Sequence, residues 1–285
     1  MNLNFNQSPY FDDFDETKKF HKILFKPEYP VQARELNQSQ TIIQDQIKLF
    51  GDHTFQNHTP VSGGAVTTNL NVKFLKLNPV DQNNKEIQIN DLLNKTISNS
   101  DGSVLAKVLF VFDKIVDTNG DIISPPVIIL SYFSGSKFSP SESIVVPGGN
   151  VFTSVISLES EYQPYYGDSS LVSIDDGVFY IDGYFVRVQN QSIPIDAFSK
   201  TPSARIGIVV EENIIHSKTD KTLLNPILGG SNYLSESSDR LNINLKLSIK
   251  PLDSFDTDAF FELGRIENGI IKKVVVNTAY SDIDD

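Results

Sequence analysis

The sequence predicts a mainly β fold with one N-terminal α-helix, in which an extended arm and the helix precede two small β-sandwich or barrel-like domains. Isoleucine, valine, phenylalanine and tyrosine dominate the apolar residues while alanine is scarce, a composition that suits pleated surfaces better than helix faces. Short alternating apolar runs recur between Gly, Asn, Asp and Pro turns along most of the chain. The exception is residues 31–50, VQARELNQSQTIIQDQIKLF, which lack Gly and Pro, follow Pro30 and end at Gly51, the pattern of a started and capped helix. The expected organisation is arm and helix over residues 1–60, a first β domain over 61–160, a second over 161–250, and strands over 251–285 that lead toward a possible further segment.

Within the helix Ala33, Leu36, Gln40, Ile43, Ile47 and Phe50 recur at alternate steps of three and four, which aligns them along one seam. Such a stripe either lies on the chain's own sheet or is shared between identical subunits. Gln40 suits the second reading, because a polar residue at a core position can fix register, but it would equally suit a solvent-facing site. Leu36, Ile43, Ile47 and Phe50 are therefore candidate interface residues, with Arg34 as a charged rim beside them. Upstream, Tyr10, Phe11, Asp12, Asp13, Phe14, Asp15 and Glu16 mix rings with carboxylates and lead through FHKILFKP into the helix. This reads as an extended arm, with Phe11 and Phe14 as its candidate contacts, packed across its own domain or into a neighbour's groove.

Beyond the helix, strands hinge at Gly63 and Gly64, and the alternation of Leu70, Val72 and Phe74 opens the β region. Residues 87–97 fit either a short helix or a loop. Asn119-Gly120 between the apolar runs 104–116 and 122–130 predicts a hairpin. Residues 131–168, rich in Ser, Pro, Gly and Tyr, read as long loops and a domain junction. Clean alternation returns over 170–188, with a turn at Asp182-Gly183, then over 204–212 and 241–249, and Gly269 marks a last turn.

The chemistry is mostly exclusion. Twenty-four basic against thirty-six acidic residues give a net charge of −12, which opposes phosphate backbones and anionic lipid, so neither nucleic acid nor membrane insertion is expected. Absence of cysteine removes disulfides and thiolate chemistry. Asp117, Asn119 and Asp121 match the start of a calcium loop, but position 12 is Ile128 rather than Glu, so a hairpin turn is the better reading. His53 and His58 near Asp52 read as surface imidazoles. No nucleophile elbow or dinucleotide or phosphate loop is present. No catalytic residue, cofactor or metal is assigned, and a non-enzyme is expected. Two alternatives stay open: a receptor-binding module holding host glycan through Tyr162, Tyr165 and Tyr166, and a polysaccharide depolymerase using carboxylates that no short motif marks.

Residues 9–64 carry YFDDFD, FHKILFKP, VQARELNQSQTIIQDQI, FGDHTF and VSGG in that order. This region resembles the N-terminal part of a virion-protein family of tailed bacteriophages, a domain of unknown function found in baseplate and tail-fibre-like proteins. The resemblance implies a structural component of the virion, made in the host cytoplasm, which serves as a baseplate or tail-fibre attachment subunit. Its implied partners are itself, as a homotrimer because tail appendages are often threefold, and other tail or baseplate proteins. It implies no activity and no catalytic residues.

Overall fold

A computed structural model describes residues 3–135, 137–146, 148, 151–255 and 259–274; the expectations for residues 275–285 lie outside these. The arm leads into α1 (Ala33–Thr54), followed by β1 (Thr59–Gly63) and β2 (Val66–Lys76). A 3-10 turn at Ile89–Leu92 fills the stretch that fitted helix or loop. Next come β3 (Thr96–Ser98), β4 (Leu105–Phe112), the short pair β5 (Ile115–Val116) and β6 (Ile122–Ser124), and β7 (Val127–Ser134). Then follow β8 (Ser143–Val145), β9 (Val151–Ser154), β10 (Tyr166–Ile174), β11 (Gly177–Ile181), β12 (Tyr184–Val188) and β13 (Gln191–Asp196). The last are β14 (Ala204–Ile215), β15 (Arg240–Lys250), β16 (Phe260–Glu267) and β17 (Ile270–Val274). Among the described residues the fold is mainly β with one α-helix, as the composition predicts.

One eight-stranded sheet runs β13-β10-β2-β7-β4-β3-β8-β9, beside a three-stranded sheet β1-β11-β12, a four-stranded sheet β15-β14-β16-β17 and the β5-β6 ribbon. Leu75, Leu77, Val108, Ile128, Leu130 and Phe138 centre a first core. A second joins Val172 and Ile174 of β10, Phe179, Ile181 and Val186 of the three-stranded sheet, and Ile206, Ile208, Leu245 and Leu247 of the four-stranded one.

The expected boundary near residue 160 is not a sheet boundary. Antiparallel register from Tyr166↔Leu75 to Ile174↔Val66 joins β10 to β2, so both expected domains contribute to one sheet. The pleat explains how β10 serves two sides: Leu171 packs with Val72 and Ile129, while its neighbour Val172 faces the second core. Residues 131–168, read as loops, hold the end of β7, β8, β9 and the start of β10. Their Ser, Pro and Gly content breaks the alternation without preventing short strands.

The hairpin turns follow their residues. Asp182 and Gly183 both take positive φ, 47° and 96°, the backbone that the right-handed twist of tight hairpins favours. β15 is an edge strand, and Gln191 covers part of it: its amide nitrogen donates to Leu245 O at 2.7 Å, while its carbonyl accepts from Leu247 N at 2.9 Å. One side chain thus stands in for a neighbouring strand and blunts the edge.

Across β14 and β16, Arg205 Nε donates to Glu262 Oε2 at 2.5 Å, and Arg265 Nη2 donates to the same oxygen at 3.1 Å. The Arg205 and Glu262 side chains are only 8% and 12% exposed. Burial raises the Glu262 carboxyl pKa, but Arg265 and Arg205 outweigh it and hold the group below its ordinary 4.5. A depressed folded pKa gives stability that is present above 4.5 and lost as pH falls through the lower folded value. Glu262→Ala should therefore cost about 3 kcal/mol in urea unfolding at neutral pH, because it leaves two arginines facing each other. The gap to wild type should shrink as the pH drops below the unfolded value; a gap that does not change with pH would contradict this account.

Candidate functional site

The helix is the feature that sequence spacing singles out, and its docking is unusual. It begins at Ala33, where the Glu35 carboxylate accepts the Gln32 backbone N–H at 3.0 Å, half of a capping box. It does not stop at Gly51, as the sequence suggests, but continues to Thr54. Gly51 is needed there for close approach: the buried Tyr180 ring of β11 lies against it, and a Cβ would overlap that ring.

The face turned to the body is largely polar. The Tyr180 hydroxyl donates to Asp52 Oδ1 at 2.6 Å and lies 3.0 Å from the Lys48 carbonyl, while the Lys48 ammonium pairs with Asp52. Lys48, and then the Tyr180 hydroxyl, hold the Asp52 carboxyl below the usual carboxylate range. Burial, and then Asp52, push the Tyr180 phenol up. Gln44 Nε2 donates to Gly183 O at 2.6 Å, in the β11–β12 turn. Toward the N-terminus, Asn37 Nδ2 donates to Tyr10 O at 3.0 Å, the Thr41 hydroxyl to Asp12, and Gln38 Nε2 to Asp13 Oδ1 at 3.4 Å. Within the helix, only Ile42 and Gly51 are buried.

The apolar seam points the other way. Leu36 is 51% exposed, Ile43 62%, Ile47 39% and Phe50 66%, and Ala33 and Gln40 are exposed among them. In heptad terms Ala33, Gln40 and Ile47 occupy a positions and Leu36, Ile43 and Phe50 occupy d, all on one outward stripe. Of the two readings, a stripe laid on the chain's own sheet is not the arrangement found.

The arm has two parts. Residues 5–15 are anchored: Asp12 N donates to Phe5 O at 2.9 Å, Phe5 meets Tyr10 edge-on at 5.8 Å, and the Tyr10 hydroxyl donates to Asp239 Oδ2 at 2.7 Å. Burial, and then Asp239, push the Tyr10 phenol up to about 12. Phe14 is half-buried in this part, whereas Phe11, with φ 50°, is more than half exposed. Arg34 also serves the arm, with Nη1 at 3.7 Å from Asp13. Residues 16–32 project, and Phe20, Leu24, Phe25, Tyr29 and Val31 are each more than half exposed.

Other sequence candidates have structural duties. Asp117 Oδ1 accepts the backbone N–H of Asn119 and of Asp121, each at 2.8 Å, as a turn residue does. His58 stacks on Phe261 at 4.7 Å, and burial lowers its pKa, while His53 is exposed. Tyr162, Tyr165 and Tyr166 are half-buried; the Tyr162 hydroxyl donates to Ile122 O at 2.7 Å, and the other two pack against the first core.

Sequence reasoning missed the docking face, although a signal was present. Asn37, Thr41, Gln44 and Lys48 repeat the same four-three-four spacing in polar residues. Tyr180→Phe keeps the ring against Gly51 but removes the hydroxyl that holds Asp52. It should cost about 2 kcal/mol and raise amide exchange selectively over the last turns of α1; uniform exchange rates would show that the contact does not hold the helix.

A family model described as a domain of unknown function, DUF4815, matches residues 8–81 and 162–285. No curated protein and no solved structure matches the chain. The two matched segments take in the arm, α1 with its outward stripe, β1, β2 and β10 to β17. They cover more than half of the sequence, and the chain belongs to the DUF4815 family.

Proposed function

We propose that this protein is a structural subunit of a tailed-phage virion, at the baseplate or at a tail-fibre attachment, which assembles as a homotrimer through the outward seam of α1. One observation carries the reading: the heptad positions Leu36, Gln40, Ile43, Ile47 and Phe50 are exposed together while polar side chains dock the helix. Burying each large apolar side chain of that seam against copies of itself contributes about 1.5–3 kcal/mol, stabilisation that a lone copy forgoes. Gln40 among them supplies a register-setting polar layer. The virion assignment and threefold symmetry are supported by the resemblance of residues 9–64, and the assembly role by the seam.

Light scattering and sedimentation should give a trimer for the wild type, and a monomer for the double variant Ile43→Asp, Ile47→Asp, at micromolar concentration and moderate salt. Both side chains face solvent within one copy, so the variant should keep its circular dichroism and unfold cooperatively, at the lower midpoint of a copy without the seam's burial. A wild type that stays monomeric at high concentration, or a variant that unfolds rather than dissociates, would remove the basis of this proposal.

A further inference from the structure

We propose a second contact between copies, separate from the seam, in which the basic aromatic segment 17–27 of one arm seats on the acidic, apolar β5–β6 hairpin of another copy. It rests on the reading of the chain as a self-assembling subunit and adds a head-to-tail interface to it.

The donor segment, TKKFHKILFKP, carries Lys18, Lys19, Lys22 and Lys26 with no acid, in a chain of net charge −12. The four lysines are exposed, and Phe20, Leu24 and Phe25 stand among them more than half exposed. Lys26 lies over the Tyr29 ring at 5.7 Å, and among the described residues none of the four lysines is paired with a carboxylate.

The acceptor has the complementary pattern. Asp113, Asp117 and Asp121 lie on and beside the hairpin, and Glu159 and Glu161 belong to the loop that Tyr162 ties to it through Ile122 O. Lys114 is the cation here, and Glu86 already holds it at 2.9 Å. Ile115, Val116, Ile123 and Leu158 are exposed between the carboxylates. Among the described residues the ribbon is two-stranded and joins no larger sheet. Such a ribbon is marginal in water, so a cover over its apolar side chains would stabilise it.

Both surfaces are exposed within one copy, so they do not cover each other there. The arm is anchored at Asp239 and on α1, whereas the hairpin connects β4 to β7, strands that line the first core. A basic patch meeting an acidic one fixes orientation and suppresses wrong docking. Because the two patches differ, the contact is heterologous and joins copies into rings or stacks.

Isotopically light and heavy copies of the full chain, mixed at high concentration and low salt, are treated with a zero-length carbodiimide cross-linker and read by mass spectrometry. Mixed-isotope links should join Lys18, Lys19, Lys22 or Lys26 to Asp113, Asp121, Glu159 or Glu161. Their yield should fall about tenfold in 1 M salt, where the Debye length is about 3 Å, and similarly in Lys22→Glu, Lys26→Glu. Mixing that variant with an Asp121→Lys, Glu161→Lys copy should restore them. Links confined to one copy, links to other carboxylates only, or no recovery on charge exchange would each overturn the proposal. Repeating the experiment on Ile43→Asp, Ile47→Asp separates the two interfaces, because the arm links should survive there whether or not the seam forms.

Discussion

The contact between Tyr180 and the last turns of α1 sets the orientation of everything on the helix. A cylinder lying on a sheet can roll, and one residue of rotation is about 100°, so directional bonds are needed to hold one face outward. Gly51 receives the ring, Asp52 the hydroxyl, and Gln44 reaches the neighbouring turn at Gly183. Three contacts within about two and a half turns fix the roll angle. With that angle set, Ile43 and Phe50 have no route to the body, and their exposure follows from the docking rather than from a poorly packed helix.

The same device explains why hydrogen bonds, rather than oil, attach the helix. Apolar packing is nondirectional and would favour turning the seam inward, where it would meet the Tyr180 and Phe185 rings. Polar groups on both sides of the present interface oppose that rotation, because turning the helix would strip the fully buried Tyr180 of its hydroxyl's partners at Asp52 and Lys48, and a buried group left unpaired costs about 1–3 kcal/mol. The arm adds to the opposition. Its anchored half meets Asn37, Gln38 and Thr41 through Tyr10, Asp12 and Asp13, so arm and helix hold one another in place.

How much of this could be read beforehand depended on the range of the interaction. The helix, the turn at Asp182-Gly183 and the pairing across Asn119-Gly120 are local, and local spacing revealed them. The seam was legible as a stripe, but its direction was not, because direction depends on Tyr180, more than a hundred residues away. Gly51 misled for a related reason: glycine after an amphipathic run ordinarily ends a helix, whereas here it clears space for a ring from another strand. Composition could not show that β10 pairs with a strand from the other side of residue 160, because long-range register leaves no mark in composition.

That pairing also accounts for the shape of the family match. The matched segments end in the chain just after β2 and resume just before β10, and these two strands are hydrogen-bonded neighbours. The intervening residues therefore leave and re-enter the fold at nearly the same place. They supply β3 to β9, with β7 pairing along the other edge of β2 and covering Leu75 and Leu77 within the first core. Tyr180, Gly183 and α1 all lie within the matched part, so the interactions that aim the helix do not pass through the intervening strands. Changes of length or sequence between β2 and β10 would then act on the first core and on the β5–β6 ribbon while leaving the roll of the helix untouched.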